Sequence, residues 1–199
     1  VKQLEQWVIG VDPGATTGIS VHSNGERRPI WCGPMRDPDW RKVVRFLEQG
    51  LVPSRGRDRS VVEWPQDWGT TERLLVVEDQ HVGPFKNAVI PLVARRVTWE
   101  VLAAERGWAV ARTPSGVWRR AAIGQYAKGL TTDEFKRLAI QTVKMEMGLD
   151  LTHDVAEAVC MGIFGVTLPV WEAYLVEPGK IQQMGRSGSR VPKKRSRRG

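Results

Sequence analysis

Gln6-Trp7-Val8-Ile9-Gly10-Val11-Asp12-Pro13-Gly14 is the stretch that decides the fold. Its apolar run predicts a strand over Gln6–Val11, and the Pro-Gly pair turns the chain sharply after it. Asp12 is thereby delivered at the carboxyl end of a strand, with backbone N–H groups of the turn around it. A carboxylate held still in that place suits metal-assisted phosphodiester chemistry, provided that other acids join it.

Working outward, Gly18–His22 and Pro29–Gly33 read as second and third strands joined by the hairpin-type turn Asn24-Gly25. Asp37-Pro38 supplies an N-cap and first-turn proline for a helix through about Gln49, with Trp40, Val43, Val44 and Leu47 on one face. Residues 53–73, rich in Arg, Asp, Gly and Pro, read as a surface excursion with a short strand at Ser60–Trp64. Leu74–Glu78 has the nearly all-apolar pattern of a strand buried on both faces. Helices follow over Asn87–Arg106, Pro114–Ile123, Thr131–Met147 and from Thr152 onward, with a strand at Trp108–Arg112. Gly107 and Gly148 stand at C-cap positions, and Thr131-Thr132-Asp133-Glu134 is a capping box. The expected architecture over residues 1–178 is α/β, a mixed five-stranded sheet flanked by helices.

With 199 residues and 41% hydrophobic content, the chain can bury one substantial core. It has no apolar run of membrane-spanning length and no secretory pattern at its start, so a soluble, cytoplasmic protein is expected. Cys32 and Cys160 lack any CxxC spacing and read as buried thiols rather than a disulfide or zinc site. The net charge of +8 is localised: residues 180–199 hold eight Lys or Arg and no acid, which leaves 22 of each sign in the body. Residues 179–199 therefore read as a disordered basic tail, in which Lys193, Lys194, Arg195, Arg197 and Arg198 would bind phosphate backbones.

Two further acidic places complete the chemistry. Glu78 ends its own strand as Asp12 does, with Asp79 and Gln80 extending the polar patch. Asp154 and Glu157 are three residues apart on the last helix, one turn apart on one face. Carboxylates gathered in a cleft raise one another's pKa unless a cation neutralises them. All-oxygen ligands select Mg²⁺ or Mn²⁺, and two such ions per site can clamp the attacking and leaving oxygens of a phosphodiester. Asp12 is the expected bridging ligand, with Glu78, Asp154 and Glu157 completing the shells. Glu63 competes for the second acidic place, but charges interrupt its segment.

Val8–Gly14 with Thr17-Gly18 resembles the first motif of the RuvC family of Holliday-junction resolvases, and Val77-Glu78-Asp79-Gln80 resembles the second. Asp154-Val155-Ala156-Glu157-Ala158-Val159 is similar to the family's Asp-x-x-Asp-Ala helix, with Glu157 in place of the usual aspartate. His153 is an additional possible ligand there. The resemblance spans about residues 6–166. It implies an RNase H-like fold and a two-fold dimer that nicks four-way junctions symmetrically with Mg²⁺ or Mn²⁺. The long helix 87–106 would then carry the dimer seam, through Val89, Leu92, Val93, Val97 and Val101. Val117-Trp118-Arg119-Arg120 falls where the family has a basic residue before a short DNA-contacting helix. Trp118 is expected to stack on DNA, and Arg119, Arg120, Lys128 and Lys86 to meet phosphates. His81 and Phe85 lie where bacterial members carry a junction-wedging aromatic. The 53–73 excursion and the basic tail depart from the bacterial pattern and suggest a bacteriophage-type relative with a wider range of branched-DNA substrates. The Asp-Pro-Gly-Ala-Thr-Thr-Gly loop also resembles the phosphate loop of the sugar-kinase, Hsp70 and actin superfamily, whose two-domain architecture needs about twice this length.

Overall fold

The computed structural model describes residues 6–23, 25–50, 72–79, 86–124, 129–168 and 181–183; for 86–88 and 181–183 it describes the backbone. Its elements are β1 (Gln6–Asp12), β2 (Thr16–Ser23), β3 (Trp31–Arg36), α1 (Trp40–Gln49), β4 (Glu72–Glu78), α2 (Lys86–Glu105), β5 (Ala109–Thr113), α3 (Ser115–Ile123), α4 (Thr132–Met147), α5 (His153–Thr167) and β6 (Ile181–Gln183). The sheet runs β3-β2-β1-β4-β5-β6. β1, β2 and β3 form an antiparallel meander, whereas β4, β5 and β6 continue from β1 in parallel. The first five strands are the expected ones. The three-residue β6 extends the parallel edge from within the segment read as a tail.

Alternation along the strands sends side chains to two cores. Trp7, Ile9, Val11, Leu75 and Val77 meet Phe46 and Leu47 of α1 and Trp99 of α2 on one face. Val8, Leu74 and Val76 meet Trp118, Phe135 and the buried length of α5 on the other. Helices on both faces explain why the central strands are apolar throughout rather than alternating. α5 is buried continuously from Val155 to Gly165 and lies directly on β1 and β2. Glycines permit that approach: a β-carbon on Gly10 would strike the Ala158 carbonyl, and one on Gly162 the His22 ring.

Two boundaries differ from expectation. β3 starts later than Pro29 and includes Pro34, which an edge strand tolerates because no outer neighbour needs its missing N–H. α1 is capped by Asp39, whose side chain accepts from the Lys42 N–H, rather than by Asp37. Trp40, expected on the face of Val43, Val44 and Leu47, is the first helical residue and is 59% exposed, with the Arg41 guanidinium over its ring. The capping box holds as read, with Thr131 and Glu134 bonded reciprocally and Gly148 left-handed at the helix end. Trp7, Trp99 and Trp108 are core residues, and both cysteines are free, Cys160 buried and Cys32 half-buried. Among the described residues, no helix is long and apolar enough to cross a membrane. The strand expected at Ser60–Trp64 lies outside the described residues.

Candidate active site

The register of the central strands places the first two acids. Val11 of β1 pairs with Val77 of β4 in parallel, so Asp12 and Glu78 stand side by side at the carboxyl ends of adjacent strands. Strand spacing is about 4.8 Å. Both continue the even-numbered positions that face α5, after Val8 and Gly10 on β1 and Leu74 and Val76 on β4.

The third acidic place comes from above. Asp12 pairs with Gly18 across the β1–β2 ladder, and Gly18 lies under the first turn of α5, so close that a β-carbon there would meet the Asp154 carbonyl. Glu157, one turn further on, is only 6% exposed. Strand end, strand end and helix start thus bring Asp12, Glu78, Asp154 and Glu157 into one electrostatic neighbourhood.

The carboxylates respond to this crowding. Burial, then the charges of Glu157, Glu78 and Asp154, hold Asp12 well above the usual carboxylate range, while Lys136 opposes them. Burial raises Glu78 too, against Arg119 and a hydrogen bond from Ser115. Glu157 is pushed up to about 7, first by burial and then by Glu78, with Arg119 and Lys136 acting the other way. Such shifts, from burial plus convergent like charge, mean that the ionised carboxyls cost the fold stability.

Two cations flank the acids. Arg119 of α3 places Nη2 3.6 Å from Glu157 Oε1 and rests its guanidinium on the Phe135 ring, 3.9 Å from the centroid. Lys136 of α4 is the second, acting on Asp12 and Glu157, and in the sequence it is only a lysine flanking an apolar helix stripe. Ser115 was equally hidden, being the first residue of a short helix. His153 Nε2 stands 2.9 Å from Asp154 Oδ1.

Trp118 must be reassigned. It is fully buried, edge-on to Phe135, and the Arg119 guanidinium lies 5.3 Å from its ring, so no base can stack on it. Its apolar neighbours belong to the core, where α3 packs against α5. Arg120 is exposed and donates back to the Gly116 carbonyl at 2.8 Å. Lys86 begins α2, and nothing in the described structure bears on its side chain. Gln80, His81, Phe85, Lys128, Lys193, Lys194, Arg195, Arg197 and Arg198 lie outside the described residues.

The donor set fits a hard divalent cation, since it is made of oxygen and its members repel one another. The fit is not closed: among the described residues, no three acidic, histidine or cysteine side chains converge tightly enough to enclose an ion. Asp154 has His153 beside it, Glu157 has Arg119 and Glu78 has Ser115, so three of the four acids hold cationic or hydrogen-bonding partners of the protein's own.

The structure of Thermus thermophilus RuvC in complex with a Holliday junction substrate matches 79% of this chain and 90% of its own, with a TM-score of 0.52 and 14% identity. The fold is RuvC-like. A second Thermus thermophilus RuvC structure matches 79% of this chain and 91% of its own, at a TM-score of 0.50 and 17% identity. Neither a protein-family model nor a curated protein matches the chain. Within this RuvC-like frame the acids occupy the carboxyl ends of β1 and β4 and the start of α5, the one end of the sheet that these elements share.

Proposed function

We propose that the protein is a metal-dependent, structure-selective endonuclease that resolves four-way DNA junctions, and other branched DNA, by paired nicks. One observation carries this reading: burial and the acids of β4 and α5 together hold Asp12, at the end of β1, well above the usual carboxylate range at a site flanked by two cations. Asp12, Glu78, Asp154 and Glu157 would hold Mg²⁺ or Mn²⁺. When bound, two such ions activate water and stabilise the leaving 3′-oxygen, giving a 5′-phosphate and a 3′-hydroxyl.

The chain's own residues prepare that step. Burial keeps the carboxylates in a low-dielectric place where charge acts strongly. Ser115 orients Glu78 through its hydroxyl. Arg119, braced on Phe135, and Lys136 supply positive charge for the scissile phosphate and its neighbours. Lys193, Lys194, Arg195, Arg197 and Arg198 would add contacts to the DNA backbone that carry no sequence information. The composition of residues 53–73 and the run of basic residues at 193–198 are the sequence features that favour a bacteriophage-type relative.

A two-fold junction cut twice calls for two sites in a C2 dimer. α2 offers a surface for it: Ile90, Val97 and Val101 are exposed at 61%, 39% and 42%, at helical spacing on the side away from Trp99 and Ala103. This outer stripe keeps Val97 and Val101 of the expected seam and adds Ile90, whereas Val89, Leu92 and Val93 are half-buried.

The test is cleavage of a labelled four-way junction with Mg²⁺, Mn²⁺ or Ca²⁺, beside linear, hybrid and flap substrates. Symmetric nicks with Mg²⁺ and Mn²⁺, absent with Ca²⁺, are expected. A second reading, a junction-binding factor with weak or no catalysis, is favoured by the acids' failure to close into a three-ligand cluster. Tight junction binding without nicking in any of the metals would establish it instead.

A further inference from the structure

Behind the acids lies a second charged cluster that the chemistry above does not use. Glu100 of α2 is fully buried, and a carboxylate in such a place persists only when paired. Arg112 of β5 provides the pair, donating from Nε and Nη2 to the two Glu100 oxygens at 2.7 Å each. Arg96, one turn earlier on α2 and itself 8% exposed, stands with Nε 3.3 Å from Glu100 Oε1. Its Nη1 donates to Asp79 Oδ1 at 2.8 Å.

Asp79 directly follows Glu78, and its backbone N–H donates to the Thr113 carbonyl at 2.8 Å. The residue after Glu78 is therefore held twice, by its main chain to β5 and by its side chain to α2. An isolated exposed ion pair would contribute little. Here Arg96 is fixed by Glu100, and Glu100 by Arg112, so Asp79 meets a pre-organised guanidinium. Successive strand residues point to opposite faces, which sends Glu78 toward Ser115 and Arg119 while Asp79 points toward α2.

We propose that Arg96, locked by the buried Glu100–Arg112 pair, is a positioning residue that acts through Asp79 to fix where Glu78 presents its carboxylate to a divalent cation. The inference rests on the metal-dependent reading of the site. It adds that α2, on the opposite face of the sheet from α5, takes part in metal affinity without touching metal or DNA.

The experiment uses the full chain and Mn²⁺ alone, with binding followed by the electron paramagnetic resonance of free Mn²⁺. Arg96→Met leaves Glu100 paired with Arg112. Asp79→Ala alters a side chain that is 38% exposed, and so keeps the test alive if the arginine variant does not fold. Each should raise the Mn²⁺ midpoint about tenfold, in line with second-layer partners of metal ligands. The double variant should lose no more than either single, and Arg96→Lys should recover part of the loss. Thermal midpoints should stay within a few degrees of wild type. In junction cleavage, the Mn²⁺ needed for half-maximal rate should rise while kcat at saturating Mn²⁺ stays near wild type. Unchanged Mn²⁺ midpoints, or additive losses in the double variant, overturn the proposal. Wild-type and Asp12→Asn proteins that bind Mn²⁺ alike, or not at all, overturn the metal-site reading itself and this inference with it.

Discussion

Gly18 lies so closely beneath Asp154 that a β-carbon there would run into the Asp154 carbonyl, while in the β1–β2 ladder the same glycine pairs with Asp12. One residue thus sets the distance between the first acidic strand end and the helix that carries the other two acids. Gly18→Ala must push α5 outward, because the atoms it meets are backbone. The expected result is a loss of about 1–3 kcal/mol in stability, as for other overpacked sites. Metal-dependent nicking should fall far more than junction binding, which chemical denaturation and a gel-shift assay would separate.

Glu157 makes the acidic site a burden on the fold. Its folded pKa, about 7, lies above the ordinary 4.5, so the folded state binds the proton more readily than the unfolded one. The stability this gives is fully present below about 4.5 and lost as pH rises through about 7. Glu157→Gln removes that loss and should stabilise the protein at pH 8 by about 3 kcal/mol, the free energy of such a shift. The same variant should not cut DNA. A thermal midpoint equal to or below wild type at pH 8 would contradict this account of the site.

His22 works in the opposite sense. Burial lowers its pKa from 6.5 to about 4, with the ring between the Glu26 carbonyl at 3.2 Å and Ser20 Oγ at 3.1 Å. Its contribution is present above 6.5 and lost as pH falls through about 4. The two slopes oppose each other over the shared part of the range, about pH 4.5 to 6.5, where the raised carboxyls of Asp12 and Glu78 add to the Glu157 side. Glu157→Gln removes one of the opposing carboxyls, so its urea midpoint should gain steadily on that of wild type as pH rises through that interval.

Trp118 and Arg119, neighbours in sequence, should separate in function. Trp118→Ala opens a cavity beside Phe135 and should destabilise by about 3–5 kcal/mol. Trp118→Phe should bind junction DNA as wild type does, since no base reaches the ring. Arg119→Met and Lys136→Met should keep the fold and lower kcat by about a hundredfold each, as for removal of one electrostatic stabiliser. A tryptophan variant that folds yet loses DNA affinity would restore the stacking role that burial denies it.

What could be read from the sequence was local. Val8–Asp12 and Leu74–Glu78 announce strands ending on acids because apolar runs and turn residues sit side by side in the chain. Thr131 and Glu134 announce a cap because its partners are three residues apart. What stayed hidden depends on distant contacts. The fate of Trp118 is decided by Phe135 on the next helix, and the start of α1 by a choice between two aspartates with similar capping ability. Lys136, Ser115 and the Arg96–Glu100–Arg112 cluster acquire meaning only when β4, α2, α3, α4 and β5 are brought together.

The most direct measurement is the cleavage rate of a labelled four-way junction at saturating Mn²⁺ for Asp12→Asn, beside a binding assay on the same protein. The account predicts junction affinity near wild type and a rate reduced by about a thousandfold, the loss expected when a central electrostatic group is removed. An Asp12→Asn protein that nicks at the wild-type rate would contradict it.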